Sequence, residues 1–406
     1  MRSTDTPPPP TTADLISDPY GSYARLRESG PVHRFEGPDG KHAWLVTRYD
    51  DVRAALADPR LSLDRSNALP GNYSGFSLPP ALDANLLNMD PPDHTRLRRL
   101  VVKAFTPGRV EKLRGPVRRF ADELLDAVEP AGRADLLESF AGPLPVVVIC
   151  HLLGVPQTDR VDFRSWTDAM ITPDRTRPHL MKEAVASLMA FFTGLIETKR
   201  AEPGDDLLSD LIAVQEAGDT LSQDELTSLA FLIVFAGYEN VTHLIGNTVL
   251  ALLDRPELLQ TVRKDPDGLA ALVDEASRWD GPTPVAIRRF PVEDIEIGGV
   301  TVPAGETVLL SLASANRDPA RFPDPDRFDL GRDRSGNLAL GHGIHYCLGA
   351  ALGRMETETA LAALLERFEN LELDVSREEL TWRPAIRARG LKSLPVRWSS
   401  VVRTGF

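Results

Sequence analysis

The residues best suited to chemistry lie in one short run, Leu340-Gly341-His342-Gly343-Ile344-His345-Tyr346-Cys347-Leu348-Gly349. A cysteine thiolate is a nucleophile and a soft metal ligand. The chain has only two cysteines, Cys150 and Cys347. Two are too few for a disulfide scaffold, or for a tetrathiolate zinc or iron–sulfur site within one chain. Cys347 therefore acts alone or with a cofactor. The glycines at 341 and 343 permit a tight loop with positive φ. A helical pattern from Ala350 to Phe368 puts the cysteine near a helix N-terminus, where backbone amides favour the thiolate. Gly349 keeps side-chain bulk away from whatever the sulfur touches. A lone thiolate on such a loop suits a single axial bond to haem iron. Cys150, in the apolar run Val146–Leu153, reads as core.

Three other groupings carry charge at meaningful spacing. Glu275 and Arg278 are three apart and share a helix face. His94 and Arg98, four apart in Asp93-His94-Thr95-Arg96-Leu97-Arg98, also share one, and donors of these types can hold carboxylates. Ala236-Gly237-Tyr238-Glu239-Asn240 interrupts a long apolar helical stretch with an acid and an amide. Asparagine offers separate donor and acceptor atoms and cannot relay a proton by hydroxyl exchange. Thr242 lies about 200° further round the helix and should face away from Asn240.

The cysteine run resembles the haem-binding signature of the cytochrome P450 family, Phe-Gly-x-Gly-x-His-x-Cys-x-Gly. Nine of the ten positions fit, with Leu340 in place of the phenylalanine. The other groupings fall where that family has its motifs, so the resemblance covers nearly the whole chain. It implies haem b as cofactor, with Cys347 as iron ligand and Gly349 beside it. It implies His94, Arg98, Arg289 and His345 as propionate partners. Glu275 and Arg278, with Arg327 from the loop Phe322–Phe328, are implied as a buried structural network that locks the cysteine loop. Gly237 would let haem approach the long helix. Glu239 and Asn240 would be catalytic, organising protons for dioxygen activation, although the family has threonine where Asn240 stands. Pocket walls are implied at Leu86, Leu87, Phe231, Val234, Phe235, Pro284, Val285, Ile287 and Leu391. The implied reaction is insertion of one oxygen atom from O2 into a hydrophobic natural product, by hydroxylation or epoxidation, in polyketide, macrolide or other secondary metabolism. Electrons would come from a separate ferredoxin or flavodoxin with its reductase. The Asn240 departure keeps a peroxide-using or oxidative-coupling enzyme as an alternative, and a non-catalytic haem sensor as a remote one.

The elements that must position these residues read as mainly α with a smaller β-rich part, and the resemblance implies the cytochrome P450 fold, with haem between the long central helix and the cysteine-loop helix. From His94 to about Asp280 the pattern is almost continuously helical. Ser222-Gln223-Asp224-Glu225 opens the longest helix with an N-cap and early acids. After Asp280, short strands are predicted at Ile287–Pro291, Ile295–Ile297, Val300–Val302 and Thr307–Leu312. Residues 1–15 are expected to be a flexible tail and 16–406 a single domain. The stretches Pro59–Pro92 and Ile171–Pro178 are expected to form a mobile lid. The net charge of −13 over 406 residues argues against nucleic-acid binding. Within it, nine basic residues between Thr95 and Arg119 face only Glu111 in sequence, a patch suited to an acidic electron donor. The longest strongly apolar run, Leu229–Tyr238, is half of what a membrane span needs. A cytoplasmic monomer without membrane or nucleic-acid partners is expected.

Overall fold

The computed structural model describes residues 11–37, 40–72, 82, 85–103, 105–171, 177–216 and 221–400. In chain order it contains α1 (Thr12–Ser17), α2 (Pro19–Ser29), β1 (Val32–Glu36), β2 (His42–Val46), α3 (Tyr49–Ala57), β3 (Leu61–Ser62), α4 (Asp93–Val102), α5 (Pro107–Val128), β4 (Arg133–Asp135), α6 (Pro143–Leu152), α7 (Arg160–Ile171) and α8 (Pro178–Ala201). Then come α9 (Leu207–Glu216), α10 (Gln223–Leu253), α11 (Pro256–Lys264), α12 (Leu269–Asp280), β5 (Phe290–Pro291), β6 (Ile295–Ile297), β7 (Val300–Val302), β8 (Val308–Leu310), α13 (Leu312–Ala315), α14 (Ala350–Arg367), β9 (Phe368–Leu373) and β10 (Pro395–Ser400). The contacts divide the chain into two compact units, each discontinuous in sequence.

The first unit comprises residues 1–76, 274–347 and 382–389. Its main sheet runs β1-β2-β8, antiparallel between β1 and β2 and parallel between β2 and β8. Val46, Tyr49, Val52, Val308, Leu310, Phe322 and Leu338 form its core. The strand expected at Thr307–Leu312 stops at Leu310, because Ser311 caps the short helix α13 by accepting from the Ser314 amide. Residues 12–15, expected in a flexible tail, are instead helical. Thr11 and Asp14 form a reciprocal capping box, and Leu15 is buried against Tyr23 and Leu45.

The second unit comprises residues 77–273, 348–381 and 390–406. Its axis is α10, whose 31 residues span about 46 Å. Ser222 accepts from the Glu225 amide while the Glu225 carboxylate accepts from the Ser222 amide, so the helix start matches the sequence signal. Along α10 the residues from Leu226 to Leu232 and from Val241 to Thr248 are almost all buried. Helix α14 packs on α10 through Gly353, where a Cβ would lie 3.7 Å from Val241 Cγ2. The expectation that no segment is long and apolar enough to cross a membrane needs correcting: His179–Ala201 and Gln223–Leu253 both are by length and composition. The second of these uses its apolar surface as the axis of this core. Residues 73–81, 83–84 and 172–176 of the expected lid lie outside the described residues.

Candidate functional site

In the first unit, the cysteine loop takes the shape its glycines allow. Gly341 and Gly343 have φ of 78° and 73°, where L side chains are strained. A Cβ on Gly343 would also lie 3.2 Å from the Leu56 carbonyl oxygen and the Ala57 Cα of α3. Gly343–His345 form one 3₁₀ turn, and the Cys347 amide donates to the Leu340 carbonyl at 2.9 Å, closing the loop. The closure leaves Cys347 exposed, along with Ile344 and Tyr346, while His345 is half-buried.

The loop is held from below by a buried network. Arg278 donates to both oxygens of Glu275, at 2.7 and 2.8 Å. Its other donors reach the carbonyls of Asn316, Pro325 and Arg327. Both side chains are about 97% buried. The second cation on Glu275 is Arg332 at 3.3 Å, not Arg327. Arg327 enters the network through its carbonyl oxygen, which accepts from Arg278 and Arg332, because its loop turns the backbone rather than the side chain toward α12. The link onward to the cysteine loop was not legible in the sequence. Asn316 Oδ1 accepts from the Leu338 amide, and Asn337 donates to the Asp274 carbonyl and the Ser277 hydroxyl. Two asparagines thus tie the helix bearing Glu275 and Arg278 to the residues leading into Gly341. Elsewhere in this unit, Arg289 is 3% exposed and exchanges main-chain hydrogen bonds with Val308. Pro284 and Val285 are buried and Ile287 is half-buried.

In the second unit, α10 has an open face midway along its length. Phe235, Ala236 and Asn240 are exposed and Glu239 is partly so, although the turns on either side are buried. These positions follow i, i+1, i+4, i+5 and so share one face. Asn240 donates its side-chain N–H to the Ala236 carbonyl at 3.1 Å, and Thr242 bonds to the Tyr238 carbonyl at 3.0 Å. Asn240 is exposed and Thr242 buried, as the 200° separation predicts. Gly237 does not belong to the open face. A Cβ there would lie 3.3 Å from Ile149 Cδ1, so this glycine lets α10 pack closely on α6, and the small residue on the open face is Ala236. The adjacent Tyr238 donates to Asp168 of α7 at 2.7 Å.

Among the expected pocket residues of this unit, Phe235 is exposed and stacks on Phe231 with the rings 9° from parallel. Leu86, Phe231, Val234 and Leu391 are buried and Leu87 is half-buried. Leu86, Phe231 and Val234 belong to the unit's core. On α4, His94 is 1% exposed and Arg98 half-buried, one turn apart. A Cβ on Gly349 would meet no atom within 4 Å, so the space there is open.

The basic stretch is more neutral than its sequence suggests. Arg96 pairs with Glu225, Arg109 with Asp210, Arg114 with Glu111 and Glu358, Arg118 with Asp122 and Glu366, and Arg119 with Glu123. Asp93 adds a second, local partner for Arg96, so distant acids folded alongside supply half of the partners. Among the described residues, Arg99 and Lys112 are exposed without an acidic partner. The two cysteines separate cleanly. Burial pushes the Cys150 thiol up to about 12, leaving it an inert core residue, whereas Cys347 is exposed on its loop.

Residues that suit a thiolate-bound haem stand in each unit. In the first, one exposed cysteine stands on a closed loop; in the second, Gly349 has open space around it and an otherwise buried helix exposes an apolar and amide face. Comparison with known proteins agrees. A family model described as cytochrome P450 matches residues 146–386. Cytochrome P450 monooxygenase PikC of Streptomyces venezuelae is 49% identical over 95% of this chain and 92% of its own. The 6-deoxyerythronolide B hydroxylase of Saccharopolyspora erythraea is 44% identical over 95% of this chain and 99% of its own. The solved structure of ligand-free P450 monooxygenase TamI superposes with a TM-score of 0.88 at 43% identity, covering 95% of this chain and 92% of that one.

Proposed function

The chain belongs to the cytochrome P450 family, and from that premise we propose that it oxidises a hydrophobic polyketide or macrolide of secondary metabolism. It is a monooxygenase with haem b as cofactor, and such enzymes take a hydrophobic substrate, O2 and electrons from redox partners. The substrate class is supported by the names of relatives, such as the 6-deoxyerythronolide B hydroxylase, and by the apolar Phe231–Phe235 stack beside the open face of α10. The single observation that carries the reading is the closed, glycine-shaped loop that leaves Cys347 exposed. Cys347 would hold the iron. His94, Arg98, Arg289 and His345 would hold the propionates, arginine being able to engage a carboxylate through two parallel N–H donors. When bound, haem supplies the activation of O2, and a thiolate ligand favours O–O cleavage. The protein's own residues do the rest. Glu239 would take up and pass on protons at its carboxylate beside the open face, Asn240 places an amide there, and Phe235 excludes water and orients the substrate. A ferredoxin or flavodoxin is the expected donor, with Arg99 and Lys112 as its exposed contacts, in a cytoplasmic monomer.

The test is a carbon monoxide difference spectrum of the reduced protein, followed by a macrolide and polyketide panel scored by Soret shift and product analysis. A red-shifted thiolate–carbonyl band that disappears in Cys347→Ser is expected. A carbonyl band unchanged by that substitution would overturn the ligand assignment. One observation favours a second reading. Asn240 brings no hydroxyl to the open face and commits an N–H to Ala236, which suits an enzyme fed by peroxide. Turnover with NADPH and redox proteins, compared with turnover on hydrogen peroxide, separates the two.

A further inference from the structure

His243 lies one turn beyond Glu239 on α10 and is 3% exposed. Among the described residues, neither ring nitrogen has a hydrogen-bond partner. Burying a polar ring without partners is costly, so such a group calls for a reason. Its Nε2 lies 3.6 Å from Glu239 Oε1, just beyond hydrogen-bond reach, and among the described residues Glu239 supplies the one carboxylate within 4 Å of the ring. The space for the ring is specific. A Cβ on Gly390 would lie 2.1 Å from Nδ1 and 2.3 Å from Cγ, and Gly390 has no positive φ that would otherwise require glycine. Gly390 thus presents bare backbone to the imidazole.

The neighbouring hydroxyl cannot do this work, because Thr242 is buried and bonded to the Tyr238 carbonyl. Asn240 carries no exchangeable hydroxyl proton. Glu239 is left as the acid at the open face, with a quarter of its side chain exposed and the imidazole behind it.

We propose that His243 is the positioning residue for Glu239. A small rotation of either side chain closes the 3.6 Å gap, so that Nε2–H donates to Oε1. The imidazole keeps its proton and fixes the carboxylate, which takes up a solvent-delivered proton at its exposed part and gives it up again at the open face. The Glu–His pair thereby replaces a hydroxyl relay. The proposal rests on Glu239 being the proton-handling acid.

The test uses the haem-loaded enzyme. In 15N-histidine-labelled protein, held as the diamagnetic ferrous carbonyl, the His243 ring should show a protonated, hydrogen-bonded Nε2, and that signature should vanish in Glu239→Ala. An identical ring signature in both proteins overturns the proposal without any turnover measurement. The second readout is hydrogen peroxide released per NADPH oxidised, with a surrogate ferredoxin and reductase. His243→Phe and Gly390→Ala, which displaces the ring, should both change this ratio about ten-fold, short of the ~100-fold cost of removing a general acid itself. His243→Gln, which keeps an N–H at similar reach, should restore most of it. If Glu239→Ala changes the ratio while His243→Phe does not, the inference fails and the role of Glu239 stands. If neither changes it, the reading of Glu239 fails first.

Discussion

Glu275→Ala should loosen the cysteine loop from a distance, and its cost can be worked from the structure. The carboxylate accepts from Arg278 Nε and Nη2, from Arg332 Nε and from the Asp329 amide. Its removal leaves two cations stranded, Arg278 at 2% side-chain exposure and Arg332 at 9%. Breaking a buried ion pair by deleting one partner costs about 3–5 kcal/mol, because the remaining charge is uncompensated. The orphaned Asp329 amide adds roughly 1 kcal/mol or more. Against a typical total of about 5–15 kcal/mol, this is a large share. The first unit should unfold at clearly lower urea, and haem should be lost on gel filtration at concentrations where the parent retains it. Replacing both partners with apolar residues, Glu275→Leu with Arg278→Met, should not restore stability. Arg278 also satisfies the Asn316, Pro325 and Arg327 carbonyls, which the double variant leaves bare. An unchanged urea midpoint with full haem content in Glu275→Ala would refute the argument that this network holds the loop.

Three further outcomes are expected. Burial of Glu356 in α14 pushes its carboxyl from 4.5 up to about 8, with Oε1 lacking a hydrogen-bond partner. Between those values the unfolded chain has lost a proton that the folded one keeps, so stability falls as pH rises through this window. Glu356→Gln should raise stability at pH 7 by up to ~3 kcal/mol and flatten that slope, measured by urea titration at about pH 5 and pH 8. Gly237→Ala should stabilise by less than the roughly 1 kcal/mol that this change gives in an open helix interior, because the 3.3 Å approach to Ile149 Cδ1 offsets it. Ile149→Val, which removes that methyl, should restore part of the helix gain in the double variant, read as the difference in urea midpoints. Asn240→Thr should keep the helix intact, since a threonine hydroxyl can bond the Ala236 carbonyl as Thr242 bonds that of Tyr238. It should change the product formed per NADPH without changing substrate-induced Soret shifts, and an unchanged ratio would remove Asn240 from the proton path.

How much of this was legible in the chain depends on the range of the interaction. The cysteine loop was readable because its cause is local: two glycines in the left-handed region and a helix beginning at Ala350. The start of α10 was readable for the same reason, Ser222 and Glu225 being three residues apart. The open face of α10 was half readable. Sequence placed Asn240 and Thr242 on opposite sides, but it could not show that Gly237 lies against Ile149 of a neighbouring helix. The wall residues Leu86, Phe231 and Val234 come from the family resemblance, since apolar type alone does not distinguish a lining residue from a core one. The ion pairs were least legible. Arg332 rather than Arg327 meets Glu275 across 57 residues, and the acids neutralising Arg96, Arg109 and Arg118 come from up to 248 residues away. The sequence by itself thus determined which atoms could do the chemistry and the local backbone that presents them. Tertiary structure decided which charges are neutralised, which glycines face a neighbour, and that the histidine one turn beyond Glu239 is buried against Gly390, because those follow from packing between segments that sequence proximity does not reveal.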